Sequence, residues 1–261
     1  MGEQKQKRRA HAKILEAHPW CVFCGGLFPA VTIDHVPPRM MFKGKQRPKG
    51  LEFPSCLSCN AGTSHSELVA SMMGRIYPDP IADDEAQESK RLFQAVSNNI
   101  PGLLEEMYIG TAGQKLARKN YPFISTNGGV LRANGPLMTK HMQMFGAKLG
   151  LALHFAAYKV PVPVTGSVHP IWYSNVQAFG GKIPQSLLDI LPPPRTLMQG
   201  TKHVGDQFRY SWCLTDDRKL SLFYATFRQA FAVAAFTTVD QAAYSERPIG
   251  NFPAFVPGKL G

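Results

Sequence analysis

Two short stretches carry most of the information about the fold: residues 21–42, CVFCGGLFPAVTIDHVPPRMMF, and residues 53–67, FPSCLSCNAGTSHSE. Each stretch contains one Cys-x-x-Cys pair, and the four thiols belong to Cys21, Cys24, Cys56 and Cys59. Two such pairs in a chain without a secretory signal are typical of a tetrahedral zinc site. A disulfide framework is the competing interpretation, but it belongs to small secreted domains. We therefore expect one structural zinc ion bound by these four cysteines.

The segment between the two cysteine pairs predicts two short strands and the start of a helix. Residues 31–33 form a β-branched strand that runs into Asp34 and His35, and residues 51–53 are a candidate second strand. A helix is predicted over residues 60–74, directly after the second pair. Closing four thiolates around one ion would bring the first pair, the first strand and the helix start together. We expect Asp34, His35 and the first residue of the helix to converge.

This arrangement resembles the HNH endonuclease superfamily, the ββα-metal nucleases, in their four-cysteine treble-clef form. In that family an Asp-His dipeptide closes the first strand, and His or Asn follows the last cysteine. This chain has Asp34-His35 and Cys59-Asn60 at those places. The strings DHVPP and PSCLSCNAG are also similar to bacterial HNH-type proteins. The resemblance covers about residues 18–75, which is less than a quarter of the chain.

The resemblance implies a metal-dependent endonuclease that hydrolyses phosphodiester bonds in DNA. His35 would be the general base that takes a proton from the attacking water, since imidazole titrates near neutrality. Asp34 and Asn60 would hold Mg²⁺ or another divalent cation through oxygen ligands. His65 and Glu67, about one and two turns further along the helix, are candidates for an additional metal ligand. The zinc ion would stabilise the fold without taking part in the reaction.

One position departs from the family pattern. The family often carries an Asn shortly before the third cysteine, where it orients the loop that holds the base, whereas residues 50–53 here read Gly-Leu-Glu-Phe. Either a backbone carbonyl orients His35 instead, or the site is degenerate. Two alternatives therefore remain: a non-catalytic zinc treble clef that binds nucleic acid, and a protein-interaction module with structural zinc. Asn60 could equally be a helix N-cap.

The charge distribution favours an anionic partner. The chain contains 29 Lys and Arg against 18 Asp and Glu, a net charge of +11 at pH 7, and nucleic acid is the commonest partner for such an excess. Residues 1–50 contain ten basic and three acidic residues, which concentrates positive charge around the first cysteine pair. We expect DNA as the partner and a basic loop that contacts its phosphates through Lys43, Lys45, Arg47 and Lys49.

The sequence contains no candidate membrane span. The longest uninterrupted apolar run is Ala230–Phe236, whereas crossing a bilayer needs about 20 residues. The N-terminal sequence MGEQKQKRRAHAKILEAHPW is charged and has no apolar h-region, so it does not match a secretory signal. We therefore expect a cytoplasmic protein.

The predicted fold class is α+β: a zinc-stabilised treble-clef ββα-metal module, a helical segment and a C-terminal region with antiparallel β-structure. The predicted segments are a basic arm (1–20), the nuclease module (21–76), an acidic linker (77–89) and a C-terminal α+β domain of unassigned role (90–261). Apolar residues at 3–4 spacing predict a helix over Lys140–Lys159. Three segments, Gln207–Leu214, Leu220–Phe227 and Ala230–Thr237, are predicted to form an antiparallel meander. The third of these segments could instead be helical. Cys213 is predicted to pack as a small buried hydrophobe.

Overall fold

The computed structural model describes residues 2–77, 83–122, 129–244 and 253–260. The helices in these ranges are α1 (Gly2–Ala17), α2 (Leu57–Gly62), α3 (Ser64–Met73), α4 (Asp83–Asn99), α5 (Leu103–Met107), α6 (Gly110–Asn120), α7 (Pro136–Tyr158), α8 (Asn175–Phe179) and α9 (Gln185–Asp189). The strands are β1 (Thr32–His35), β2 (Glu52–Ser55), β3 (Ser167–Ser174), β4 (Met198–Gln199), β5 (Lys202–His203), β6 (Phe208–Leu214), β7 (Leu220–Phe227) and β8 (Phe231–Thr238). Mixed helices and antiparallel sheets confirm the predicted α+β class.

The first cysteine pair, strands β1 and β2, and helix α2 follow one another as a ββα unit. The backbone N–H of Val22 donates to the carbonyl of Pro54 at 3.1 Å, and that of Val31 donates to Ser55 at 3.0 Å. These bonds fix the first cysteine pair beside the strand that leads into Cys56. The prediction ended this strand before Pro54, but β2 continues through Pro54. The carbonyl of Pro54 faces Val22, away from β1, and in an antiparallel pair the nitrogen of a residue faces the same side as its carbonyl. Strand β1 therefore needs no hydrogen bond from the nitrogen of Pro54, and the proline is tolerated.

The predicted helix over residues 60–74 is two helices. Helix α2 begins earlier, at Leu57, and Thr63 separates it from α3 with φ −100° and ψ 0°. Asn60 therefore lies inside α2 and is not a helix N-cap, since Cys56 occupies that position. Helix α1 lies within the predicted basic arm and packs against β1 and β2.

The C-terminal part is a four-stranded antiparallel sheet in the order β3-β8-β7-β6, with helix α7 packed on one face. The meander β6-β7-β8 and helix α7 were both predicted, and the third segment of the meander is a strand. Strand β3 was not predicted. A Cβ atom on Gly150 would lie 2.7 Å from a Val168 methyl carbon and 2.8 Å from Ala235, so glycine at this position lets α7 approach the sheet closely.

None of the described helices, including the 23-residue α7, combines the length and hydropathy needed to cross a bilayer. Helix α7 is instead covered by protein along most of its length, because its residues from Phe145 to Phe155 are all buried.

Cys213 on β6 is only half-buried, in contrast to the predicted full burial, and packs against the smaller apolar cluster on the other face of the sheet.

The predicted acidic linker is wrong over residues 83–89, which form the first two turns of α4. Glu85 in this segment is buried, and its Oε1 accepts hydrogen bonds from Arg75 at 2.8 Å and Arg228 at 2.7 Å. Arg75 lies ten residues before Glu85 and Arg228 lies 143 residues after it, so the composition of residues 83–89 alone could not reveal either ion pair. Residues 78–82 of the predicted linker lie outside the described residues.

One hydrophobic core extends across the boundary between the predicted nuclease module and the C-terminal domain. It includes Phe23 and Phe53 from the ββα unit, Phe145 from α7, Phe227 from the sheet and Leu260 near the C-terminus. The ring of Phe53 lies edge-on to that of Phe155 on α7, with the ring centroids 6.2 Å apart. The ββα unit is therefore built onto helix α7 through shared apolar packing.

Candidate metal centre and active site

The four predicted cysteines lie together. Their Sγ atoms are all within 4.8 Å of one another; Cys21, Cys24 and Cys56 are buried, and Cys59 is half-buried. A tetrahedral site with metal–sulfur bonds of about 2.3 Å places its sulfur atoms roughly 3.8 Å apart. The donor set and its spacing therefore fit one metal ion, as the sequence predicted.

The backbone around the first cysteine pair explains why its thiols face inward. Gly25 and Gly26 adopt positive φ values of 64° and 83°, which allow the chain to reverse directly after Cys24. The N–H of Gly26 then donates to the carbonyl of Cys21 at 3.0 Å. A Cβ atom on Gly25 would lie 2.8 Å from the carbonyl oxygen of Val162, so this turn is also pressed against a distant segment.

Hydrogen bonds among the thiols shift their acidities in opposite directions. The side-chain hydrogen bond from Cys59 lowers the pKa of Cys21 to about 4, and the same bond raises the pKa of Cys59. Burial raises the pKa of Cys24 to about 11. The cluster thus stabilises one thiolate through its neighbours, and a bound cation would release further protons from the remaining thiols.

His35 lies at the end of β1 with 17% of its side chain exposed. Its Nε2 is 3.1 Å from Nη2 of Arg39 and 3.8 Å from Oε1 of Glu52. Because a guanidinium group can only donate, Nε2 is the acceptor in this hydrogen bond, which favours the neutral imidazole with its proton on Nδ1. The ring of His11, on α1, lies 6.1 Å from the His35 ring, measured between the centroids.

Asp34 does not lie beside His35 as an exposed metal ligand. Its side chain is buried, and its Oδ2 forms an ion pair with Nζ of Lys148 on α7 at 2.6 Å. The other oxygen, Oδ1, accepts the backbone N–H of His35 at 2.8 Å. Oδ1 is therefore hydrogen-bonded, whereas the buried Oδ2 lies beside a cation of the protein but accepts no hydrogen bond from the described residues.

Lys148 is fully buried, with 0% of its side chain exposed, and has three oxygen partners. Besides Asp34, Nζ donates to Oε1 of Glu67 at 2.7 Å and to Oγ1 of Thr63 at 2.7 Å. Thr63 in turn donates to the carbonyl of Cys59 at 3.2 Å, which connects this cluster to the second cysteine pair. We call Asp34, Thr63, Glu67 and Lys148 the buried charge cluster.

The remaining predicted ligands do not gather around a divalent cation. Asn60 is half-buried, and its Nδ2 donates to Oγ1 of Thr32 over 3.5 Å. His65 is exposed on α3, whereas Glu67 on the same helix points inward to Lys148. Since Asp34 is already paired with an ammonium group, this donor set does not fit a Mg²⁺-like ion.

Glu67 and Asp34 share one ammonium group, which leaves one negative charge unbalanced. Burial raises the pKa of Glu67 to about 7; Lys148 opposes this shift, and Asp34 adds to it. The carboxyl group of Glu67 thus exchanges its proton near neutral pH, which keeps the buried charge cluster close to electrical neutrality.

The predicted basic loop divides into two kinds of residue. Lys45 and Lys49 are exposed, whereas Lys43 forms an ion pair with Asp84 at 3.3 Å. Arg47 is not a free phosphate contact, because its guanidinium group donates to four backbone carbonyls, those of Val36, Pro37, Pro48 and Leu51. Burial lowers the pKa of Arg47 to about 10.

Three residues at the site were not identified from the sequence: His11, Arg39 and Lys148. The signal for Lys148 was available, since it lies three residues after Phe145, on the apolar face of the predicted helix. Arg39 follows His35 by four residues, but the intervening Val-Pro-Pro sequence excludes a helix and hides the contact. His11 is brought to the site only by the packing of α1 on the hairpin.

Comparisons with known proteins do not place this chain in a family. No family model matches it, and neither a curated protein nor a solved structure matches it. The resemblance to HNH endonucleases therefore rests on the residues themselves, above all the four cysteines with Asp34-His35 between them.

Proposed function

We propose that this protein is an endonuclease that cleaves phosphodiester bonds in DNA, with His35 as the general base. The observation that carries this proposal is the position of His35 at the end of β1. Its Nε2 lies 3.1 Å from Nη2 of Arg39, which can only donate, and this contact favours the neutral imidazole that a base requires. The second supporting feature is the ββα unit itself, closed by four clustered cysteines.

The metal in the cysteine cluster is proposed to be zinc. Four thiolates are the donor set that zinc adopts in structural sites, and such a site leaves no coordination position open. Zinc bound there would hold the hairpin and α2 together and so keep His35 in place. It would supply no catalytic chemistry of its own.

The side chains around His35 suggest how the reaction proceeds. A phosphate group binding to Arg39 would draw the guanidinium away from Nε2, 3.1 Å distant, and free the nitrogen lone pair. His35 then takes a proton from the attacking water molecule while the water oxygen bonds to phosphorus and the bond from phosphorus to the leaving oxygen of the strand breaks. A solvent water molecule gives its proton to that leaving oxygen. Oε1 of Glu52, 3.8 Å from Nε2, stabilises the imidazolium ion that forms. The proposal assigns no step to a divalent cation, because Asp34 is bound to Lys148.

The proposal is tested by nicking of supercoiled plasmid with zinc-loaded protein. We expect His35→Ala to slow cleavage by about 10²- to 10⁴-fold, the usual effect of losing a general base. Zinc content, melting temperature and DNA affinity should stay near wild type, because His35 is not one of the four thiol donors. His203→Ala is the matched control, since His203 is an exposed histidine on β5. Equal cleavage rates for His35→Ala and wild type would contradict the assignment.

A second candidate function is nucleic-acid binding without cleavage. The observation that favours it is the ion pair between Asp34 and Lys148, since the family's metal ligand is here neutralised by the protein. This alternative predicts salt-sensitive DNA binding and no cleavage with Mg²⁺, Mn²⁺, Co²⁺ or Ni²⁺. The same plasmid assay, repeated with each of these ions, separates the two functions.

A further inference from the structure

We propose a further activity, the cleavage of RNA without a divalent cation, in which His11 and His35 act as a pair of proton-transfer groups. This inference rests on the role of His35 in the proposed function. It adds a second catalytic residue, His11, and a second substrate class. Three observations lead to it: the filled cation position at Asp34, the short distance between the two imidazoles, and the positive charge along α1.

The first observation concerns Lys148. A divalent cation at Asp34 would have to displace an ammonium group that is fully buried, lies 2.6 Å from Oδ2 of Asp34 and donates hydrogen bonds of 2.7 Å to Glu67 and Thr63. Lys148 lies in the middle of α7, and its neighbouring residues are buried as well. The Lys148 side chain therefore occupies the place beside Asp34 where the resemblance implies a cation. Chemistry at His35 must then use the groups that remain accessible.

The second observation is the composition of the groups that surround His35. They include the imidazole of His11, with ring centroids 6.1 Å apart and ring planes at 63°, the guanidinium of Arg39 and the carboxylate of Glu52. Two imidazoles can accept and donate protons within one reaction, and a guanidinium binds phosphate oxygens. These groups provide proton transfer and charge stabilisation.

RNA suits such a site because it carries its own nucleophile, the 2′-hydroxyl next to each phosphate. His35 takes the proton from the 2′-hydroxyl through Nε2 while a bond forms between that oxygen and phosphorus. The bond from phosphorus to the 5′-oxygen breaks, and protonated His11 gives its proton to the departing 5′-oxygen. The products are a 2′,3′-cyclic phosphate and a 5′-hydroxyl, and the two imidazoles have exchanged protonation states. DNA lacks the 2′-hydroxyl and cannot follow this route.

The third observation is that His11 lies on a basic helix. The exposed cations on α1 include Lys5, Arg8, Arg9 and Lys13. Positive charge along one element attracts a polyanionic strand and places its phosphates beside the same helix. The strand would therefore be bound next to His11, and through it next to His35 and Arg39.

The test uses two oligonucleotides of identical sequence, one all-DNA and one with a single ribonucleotide. Zinc-loaded protein is assayed in buffer freed of divalent cations by chelating resin, and its zinc content is measured before and after. We expect cleavage on the 3′ side of the ribonucleotide to be much faster than cleavage at any deoxynucleotide, with a 2′,3′-cyclic phosphate found by mass spectrometry. His11→Ala, His11→Gln and His35→Ala should each reduce the rate at least about 10²-fold. His203→Ala should match wild type, and added Mg²⁺ should change the rate less than about threefold.

The possible outcomes separate this inference from the proposed function. Cleavage of both oligonucleotides at the same rate, lost in His35→Ala, would overturn the inference but leave the proposed function standing. Cleavage at the ribonucleotide that persists in both His11 variants would show that His11 is not the second proton-transfer group. Cleavage of neither oligonucleotide under any condition would overturn both proposals.

Discussion

Lys148 is the residue whose environment most constrains the site. Its ammonium group holds Asp34 and Glu67 in the protein interior, and Asp34 in turn accepts the backbone N–H of His35. One buried cation thus connects helix α7 to the backbone of the proposed base. The sequence could not reveal this, because the partners are separated by 114 residues for Asp34 and 81 for Glu67.

Replacing Lys148 by Met should destabilise the protein strongly. Removal of one partner from a buried ion pair leaves an uncompensated charge and typically costs about 3–5 kcal/mol. Urea unfolding of zinc-loaded protein measures this change, and Lys140→Met, an exposed position on the same helix, should be nearly neutral. The triple variant Lys148→Met, Asp34→Asn, Glu67→Gln should recover part of the loss, because no buried charge then remains. Wild-type stability for Lys148→Met alone would show that the buried charge cluster does not exist.

The raised pKa of Glu67 predicts a pH dependence with a definite sign. Its carboxyl group titrates near 7 in the folded protein, against an ordinary value of 4.5. The folded state therefore binds the proton more tightly than the unfolded state between these values. This contribution to stability is complete below about pH 4.5 and is lost as the pH rises through about 7. Glu67→Gln has no such proton to lose. From pH 5 to pH 8 the wild type should therefore lose unfolding free energy that the variant keeps, so the variant should gain stability relative to the wild type. A constant difference over this range would contradict the assignment.

At the scale of elements, the loop from Lys43 to Lys49 contains both surface cations and a structural arginine. Lys45 and Lys49 are exposed, so replacing both by Ala should lower the slope of log affinity against log salt by up to about 0.9 for each lost contact with duplex DNA. Thermal stability should be unchanged. Filter binding or fluorescence anisotropy at several salt concentrations measures the slope, and an unchanged slope would mean that this loop does not contact the backbone.

Arg47→Ala should behave in the opposite way. Its guanidinium group satisfies four backbone carbonyls around residues 36–51, so its removal leaves these acceptors without their partner. Each buried acceptor left unsatisfied costs about 1–3 kcal/mol. We expect a lower melting temperature with little change in the salt slope, which distinguishes a structural arginine from a phosphate contact within the same loop.

The elements that local pattern controls were predicted well, and those held by distant partners were not. Helix α7 and the strands β6 to β8 carry enough apolar periodicity to be identified from their own residues. Strand β3 was missed because it carries Pro170; it is an edge strand that pairs with β8 along its length and, on its other side, with Phe255 at Val168. Residues 83–89 were assigned to a linker because their helix is held by Arg75 and Arg228 rather than by apolar contacts.

For the molecule as a whole, the cysteine cluster and the hydrophobic core should act together. Cys56→Ser should release the metal and destabilise the entire chain, since the ββα unit shares its core with α7 and the sheet. Structural zinc contributes on the order of 10 kcal/mol or more to the folding of small modules. Atomic absorption and calorimetry measure both effects, and we expect one cooperative transition. Cys213→Ser should retain full metal content. Unchanged melting of Cys56→Ser would contradict the metal centre.

Chemical rescue distinguishes a His35 that acts as the base in phosphodiester cleavage from a His35 that is only structural. Single-turnover cleavage of nucleic acid by His35→Ala should be slow, and added imidazole should restore it in proportion to concentration, because the free base can enter the space left by the side chain. His203→Ala should show no response to imidazole. If His35 is the general base, imidazole should restore cleavage in His35→Ala alone. A His35→Ala protein that retains its zinc and cuts as fast as wild type, with no response to imidazole, would contradict it.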